Sequence, residues 1–329
     1  MVTDAETVCR GPAAHIGTGY PSSAPPYLAR RAREPPGARR LPGMPVRILV
    51  AMGLLYTVWG STYLAIRIGV ETIPPLLAAG LRFGIAGIVL LPIAMRARPT
   101  LRQLAGSAVL GCWLLVGGPG LLTVSETHVP SNIAAVLAST TSITVCIWRR
   151  LAGERLPKMT LVGVAVGFAG IVVLLVAPSG GSAPAAWMLL TLISAALWST
   201  GSFYGRALPG VDGLWAATTV QMLAAGAVMT GAGLVVGERP GDVSLRSALA
   251  LLYLLVAGTI ALAAYHYALT HLPISTVVTH QYVNPVVALA LGALVLGESL
   301  QALEVVGAAL VVGAVFAIVQ AERARVTAP

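Results

Sequence analysis

Charged side chains are scarce in this chain: Asp, Glu, Lys and Arg make up 10% of its 329 residues, where an ordinary soluble domain carries about 25%. With 57% of the residues hydrophobic, most of the chain cannot face water, and a soluble globular protein is excluded. Cysteine is scarce too. Cys9, Cys112 and Cys146 lie far apart, which gives neither a disulfide framework nor a metal-ligand spacing and leaves Cys112 and Cys146 as small buried hydrophobes. Carboxylates are missing from the middle of every long apolar stretch. That argues against a cation exporter in which one acidic group is alternately protonated and occupied by the cation. Paired acids, a nucleophile beside a base, and a glycine loop for phosphate in an aqueous setting are absent as well. No catalytic residue, cofactor or metal is therefore expected, and the competing class, an intramembrane enzyme such as a lipid-modifying transferase, finds no constellation here. Residues 1–47 lack periodic hydrophobicity and combine Pro, Gly, Ser and Arg, which predicts a disordered basic tail with no signal-peptide core. Met44 stands directly before the first apolar stretch, so the choice of start site is an alternative origin for this tail.

What is present from residue 48 onward is a succession of apolar stretches, each about 17–25 residues long, the length that crosses the hydrocarbon core of a bilayer. Ten are read, at about 48–68, 75–95, 102–124, 131–148, 159–177, 185–205, 214–236, 247–269, 274–296 and 302–320. Connections this short leave no room for a second, soluble domain. The expected protein is an all-α, multi-pass inner-membrane protein of ten transmembrane helices, grouped as 48–178 and 184–320, with a short cytoplasmic tail at 321–329. Basic residues near helix ends stay on the cytoplasmic side. With the N-terminus inside, seventeen Lys and Arg fall on the inner side and three on the outer, Arg67, Arg239 and Arg246; without the N-terminal tail the ratio is still ten to three. Both termini are then cytoplasmic. The net charge of +9 is accounted for by arginines meeting anionic lipid headgroups, so membrane lipids are expected partners and nucleic acid is not. The preference for Arg over Lys, with the Ala and Gly load, points to a GC-rich bacterial genome.

The stretches fall into two matching sets. Trp59-Gly60-Ser61-Thr62-Tyr63 leads to Arg67, and Trp198-Ser199-Thr200-Gly201-Ser202 leads to Arg206, eight residues from Trp to Arg in each. Gly153-Glu154-Arg155-Leu156 precedes an apolar stretch containing Gly163, and Gly297-Glu298-Ser299-Leu300 precedes one containing Gly307, with nine residues from Glu to Gly in each. Five spans per unit is an odd number, so the second unit enters the membrane upside down relative to the first. Two inverted units around a midplane cavity are the pattern of a secondary transporter whose halves rock against each other. A nonselective channel fits that pattern less well.

These residues also resemble a known family. Trp59-Gly60-Ser61-Thr62-Tyr63-Leu64-Ala65-Ile66-Arg67, Pro74-Pro75 and Ala79-Gly80-Leu81-Arg82-Phe83 are similar to the opening of an EamA-type member of the drug/metabolite transporter superfamily, and Tyr282-Val283-Asn284-Pro285-Val286-Val287-Ala288 with Gly297-Glu298 is similar to its ninth span. The resemblance covers about 48–320 and implies two inverted five-helix repeats and secondary transport, in particular export of small metabolites, amino acids or drug-like compounds, with an uptake permease of the same fold as the alternative. One departure stands out: where the fourth span of such proteins commonly carries proline, this chain has Ser142. Cargo, coupling ion and oligomeric state, a homodimer included, stay open.

Several side chains could line a cavity, because polar groups are costly against lipid and turn inward. Trp59, Thr62 and Tyr63 in the first span, Arg82 in the second, His266 in the eighth, and Gln281, Tyr282 and Asn284 in the ninth form the candidate substrate site. Arg82 either snorkels, pairs with Glu71 or Glu126, or anchors a substrate carboxylate. Glu126, His266 and His280 are the titratable candidates for proton coupling. Pro119 and Pro285 should break their helices and free carbonyls there. The Gly-Glu-x-Leu motifs read as turns, glycine ending one helix and the acid opening the next. Gly163, Gly167, Gly170, Gly307 and Gly313 read as close-packing positions.

Overall fold

The computed structural model describes residues 46–176, 184–272, 277, 280–297 and 302–327. The chain divides into Met1–Pro42 and Gly43–Pro329; the first unit, and the disorder expected of it, lies outside the described residues. In the second unit every regular element among the described residues is helical. We number the helices α1 (Val46–Gly69), α2 (Pro75–Arg96), α3 (Leu101–Ser125), α4 (Ser131–Leu151), α5 (Lys158–Val176), α6 (Ala185–Tyr204), α7 (Leu214–Val235), α8 (Leu245–His271), α9 (His280–Leu291) and α10 (Ala302–Thr327). Seven of them, α1 to α4 and α6 to α8, are long and apolar enough to cross a membrane. In α5, α9 and α10 the described apolar stretches are shorter, at Lys158–Val173, Val283–Leu296 and Val305–Ile318. α10 does not stop near 320 but runs on to Thr327, since Ala321-Glu322-Arg323-Ala324-Arg325 is made of good helix formers.

Local chemistry sets the helix ends. Pro74, Pro130 and Pro184 stand at the N-caps of α2, α4 and α6, where a missing N–H and a fixed φ cost nothing. Thr100 and Gln103 form a capping box at α3, and Ser244 caps α8 by accepting from the Ser247 N–H at 3.1 Å. The start of α2 has a remote cap: Glu238, from beyond α7, accepts from Leu76 N–H at 3.2 Å and Leu77 N–H at 2.9 Å. Gly153 and Gly297 have φ of +85° and +66°, the left-handed conformation expected of a turn. The acid behaves differently from its expected role. Glu154 lies ahead of α5 and pairs back with Arg149 at 3.0 Å, because Pro157 delays the start of that helix. Glu298 lies outside the described residues.

Two seams join the halves of the chain. α2 runs along α7 with Leu76 and Leu77 beside Gly233, Gly80 beside Thr230, Gly84 beside Gly226 and Gly87 beside Leu223. Rising numbers on one helix meet falling numbers on the other, so the pair is antiparallel. The backbones nearly touch: a Cβ on Gly226 would lie 2.5 Å from Gly84 Cα. α5 and α10 form the second seam in the same sense, with Gly163 beside Ile318, Gly167 beside Ala314, and Gly170 beside Gly307. These are small residues at helix crossings, where dispersion rather than water exclusion drives association in lipid. Gly313 is different, since nothing lies within 4 Å of a Cβ built there.

The seams respect the duplication. Trp59 to Trp198 and Arg67 to Arg206 are separated by 139 positions. Shifting the Gly84 to Gly226 contact by 139 in each direction turns it into the contact of Leu223 with Gly87, which is also present. The Gly170 to Gly307 contact maps in the same way, by 144 positions, onto the contact of Ala314 with Gly163. Other packings come in exchanged pairs as well: α3 on α6 with α8 on α1, and α3 on α7 with α8 on α2. At the offset of 144 given by Glu154 and Glu298, the residue opposite Pro285 is Thr141 rather than Ser142.

α4 is the most enclosed of the long helices, with 61% of its apolar window buried against 33–39% in the other six. It is interrupted at Ser139-Thr140 without a proline. The hydroxyls of Ser139, Thr140 and Thr141 donate to the carbonyls of Val136 (2.7 Å), Leu137 (2.6 Å) and Ala138 (2.8 Å), diverting acceptors that a straight helix would use.

Candidate functional site

Helix breaks come first, because they decide where polar backbone can be exposed within the membrane. α1 contains a π-helical turn at Leu55–Trp59, α3 one at Cys112–Gly120, and α9 passes into one at Gly292–Leu296. Pro119, where a break was expected, lies inside the π-helical segment of α3, a helix that runs on from Leu101 to Ser125. Its carbonyls are satisfied by neighbours: Ser194 Oγ donates to Gly118 O at 2.7 Å and Thr123 Oγ1 to Pro119 O at 2.7 Å. In α1, Ser61 Oγ donates to Thr57 O at 2.8 Å, and Thr62 Oγ1 to Trp59 O at 2.7 Å. Pro285 lies inside α9, seven residues before its π-helical turn begins.

Between the two halves lies an open cavity with about 920 Å³ of empty space, part of it continuous with solvent. Its walls come from α1 to α4 and from α6 to α9, four helices of each half. Of the residues expected to form a site, Trp59, Thr62, Tyr63, Arg82, Pro119, His280 and Asn284 line it. The side chains of His266, Gln281 and Tyr282 lie outside the described residues. Glu126 is fully buried but not part of the lining; its main-chain oxygen accepts from Arg67 Nη1, and it lies within electrostatic range of Tyr63 and Arg82.

Arg82 does not take every role open to it. Glu71 pairs with Arg246 at 3.8 Å near the surface, so that partner is engaged elsewhere. The Arg82 guanidinium carbon lies 4.7 Å from the centre of the Phe83 ring, a cation–π distance. Trp59 is held on one side by Tyr265 and His280, with ring centres 4.9 and 4.8 Å away, while its other side faces the cavity. The His280 ring is bonded through Nδ1 to Val277 O at 2.8 Å. The side-chain oxygen of Asn284 is buried and, among the described residues, has no hydrogen-bond partner. Trp187 stacks on His128 at 4.1 Å, and Tyr267 packs on His271 at 4.1 Å, both away from the cavity.

The lining also contains residues that periodicity and polarity had not singled out: Ser194, Trp198, Met222 and Thr259. The duplication accounts for several of them. Trp198 is the counterpart of Trp59 and Met222 of Phe83, at the shift of 139, while Gly258, Thr259 and Leu262 stand 140 positions after Gly118, Pro119 and Leu122. Signal enough was present at Trp198, which opens the second copy of the motif.

Comparison with known proteins agrees with this architecture. The profile of the EamA-like transporter family matches residues 47–176 and again 185–320. An Escherichia coli K12 protein named "Uncharacterized inner membrane transporter YedA" is 40% identical over 273 residues, 80% of this chain and 88% of that protein. A Salmonella typhimurium LT2 protein named "Probable amino-acid metabolite efflux pump" is 28% identical over 295 residues, 84% of this chain and 95% of that one. One solved crystal structure, at 22% identity, superposes with a TM-score of 0.60 over 85% of this chain and 99% of its own, a likeness of fold alone.

Proposed function

This chain belongs to the EamA-like transporter family, and from that premise we propose that it exports small organic solutes by alternating access. It is a membrane transporter, multi-pass and of the inner membrane, with a small-molecule substrate. The finer reading is ten spans in two inverted repeats, both termini in the cytoplasm, and cargo drawn from metabolites, amino acids or drug-like compounds. One observation carries it: a single cavity receives four helices from each half, and the halves meet along antiparallel copies of the same helices. Corresponding helices that run in opposite directions support the inversion. An inverted pair around one site is the geometry in which one side can open as the other closes. The name of the Salmonella relative supports the outward direction. Trp59, Thr62, Tyr63, Arg82, His266, Gln281, Tyr282 and Asn284 are proposed to contact cargo. Glu126, His266 and His280 are the proposed coupling groups.

Transport is tested by counterflow. Proteoliposomes holding the full chain and preloaded with an unlabelled metabolite panel should accumulate the labelled counterparts transiently, and empty liposomes should not; no accumulation across the panel would remove the transport reading. Topology has its own test. Single cysteines placed at 154 and 298 of a cysteine-free chain should react with an impermeant thiol reagent from opposite faces of the membrane. Reaction of both from one face contradicts the inversion.

A further inference from the structure

Among the described residues, one guanidinium and no carboxylate line the cavity. Apolar and aromatic residues make up much of its wall, Trp59, Phe83, Leu115, Trp198 and Met222 among them. A guanidinium in such surroundings is costly unless an anion meets it. Glu71 is engaged with Arg246, and Glu126, which acts on Arg82 through its charge, is buried outside the cavity lining. Phe83 covers one side of the guanidinium. On another side stands Gly258, where a Cβ would meet Nη2 at 3.4 Å, so the backbone of α8 packs against that edge while Arg82 still lines the cavity. The position opposite Arg82 in the second half is Gln221, so the charge is placed once and not twice.

We propose that the cargo is a monocarboxylate with an apolar body, its carboxylate held by the Arg82 guanidinium and its body lying against Trp59, Phe83 and Trp198. The planar fork of arginine matches a carboxylate with two parallel N–H bonds. A single fork neutralises a single negative charge, so dianions such as phosphate monoesters fit poorly, and amines are repelled. This identification rests on reading the cavity as the transport site.

The experiment compares three sets of labelled compounds in counterflow with the full chain: apolar monocarboxylates, their primary amides, and amines on the same carbon skeletons. The carboxylates should move at least tenfold faster than the matching amides, and the amines should not move. Arg82→Gln should lower carboxylate movement at least tenfold, and Arg82→Lys, which keeps the charge without the fork, should fall between. Amides or amines moving as fast as carboxylates in the wild-type chain, a result that needs no variant to fold, overturn the proposal. So does wild-type carboxylate movement by Arg82→Gln. If nothing moves at all, the transport reading fails and binding decides the present one, because Trp59 and Trp198 report occupancy by their fluorescence. Phenylacetate should then quench the wild-type chain and not Arg82→Gln, and phenylacetamide should quench neither. No phenylacetate response in the wild type also overturns it.

Discussion

Replacing Gly226 with valine is expected to remove the protein from the membrane, whereas the same change at Gly231, five residues further along α7, should leave its abundance unchanged. At Gly226 a Cβ would lie 2.5 Å from both N and Cα of Gly84 and 3.0 Å from Gly80 O. All three are backbone atoms of α2, so none can rotate away as a flexible side chain would. Relief requires α2 and α7 to separate, and separation forfeits the dispersion contacts along the whole seam. The cost is on the order of 3 kcal/mol, at the upper end of what overpacking produces. At Gly231 nothing lies within 4 Å of the added atom. Immunoblots of membrane fractions and thermal unfolding of purified protein read the contrast. Equal abundance and equal melting of the two variants would mean that the halves are not held by this seam.

Asn284→Ala should separate two properties that usually fall together. Its side-chain oxygen is buried with no hydrogen-bond partner among the described residues, and it lines the cavity. An unsatisfied buried acceptor costs about 1–3 kcal/mol, so its removal should leave stability unchanged or raise it by about 1 kcal/mol. Transport should move the other way. If the amide N–H2 of Asn284 donates to the cargo's carboxylate, losing it costs about 1.4 kcal/mol of binding, a tenfold drop in apparent affinity or rate. Counterflow normalised to membrane protein, beside the melting temperature of the same sample, measures both. Wild-type transport in Asn284→Ala removes Asn284 from the cargo's path, and Pro285 beside it is then a packing kink.

The duplication and the longer spans were legible in the sequence because apolar length and repeated punctuation are one-dimensional signals. Residues such as Trp59, Arg82 and Asn284 were legible because a polar or bulky group deep in an apolar run has few places to go. Ser194 and Thr259 were not, since a lone hydroxyl in a helix can satisfy itself on a carbonyl one turn back, and many here do so without lining anything. The π-helical turns were invisible for a related reason: widening one turn leaves the apolar run uninterrupted. α4 lacks the proline common in related fourth spans and is interrupted all the same at Ser139-Thr140, where three consecutive hydroxyls bond to carbonyls one turn back. Glu126 was expected as a titratable coupling group near the end of α3, and its burial outside the cavity lining is not something spacing reports.

A transporter built from two identical inverted halves would be degenerate. Turned over, the state open to one side would be the state open to the other, with the same free energy and the same affinity. In the proposed inverted arrangement the frame keeps that equivalence, with Trp59 matched by Trp198 and Gly118 by Gly258, while the groups with the strongest chemistry break it: Arg82 has Gln221 as its counterpart, Pro119 has Thr259, and Pro285 has Thr141. The proposed cycle therefore has a resting side. A difference of only about 1 kcal/mol between the two states populates one roughly fivefold over the other. That imbalance cannot by itself drive net movement against a gradient, but it sets which side the empty site faces while it waits for cargo.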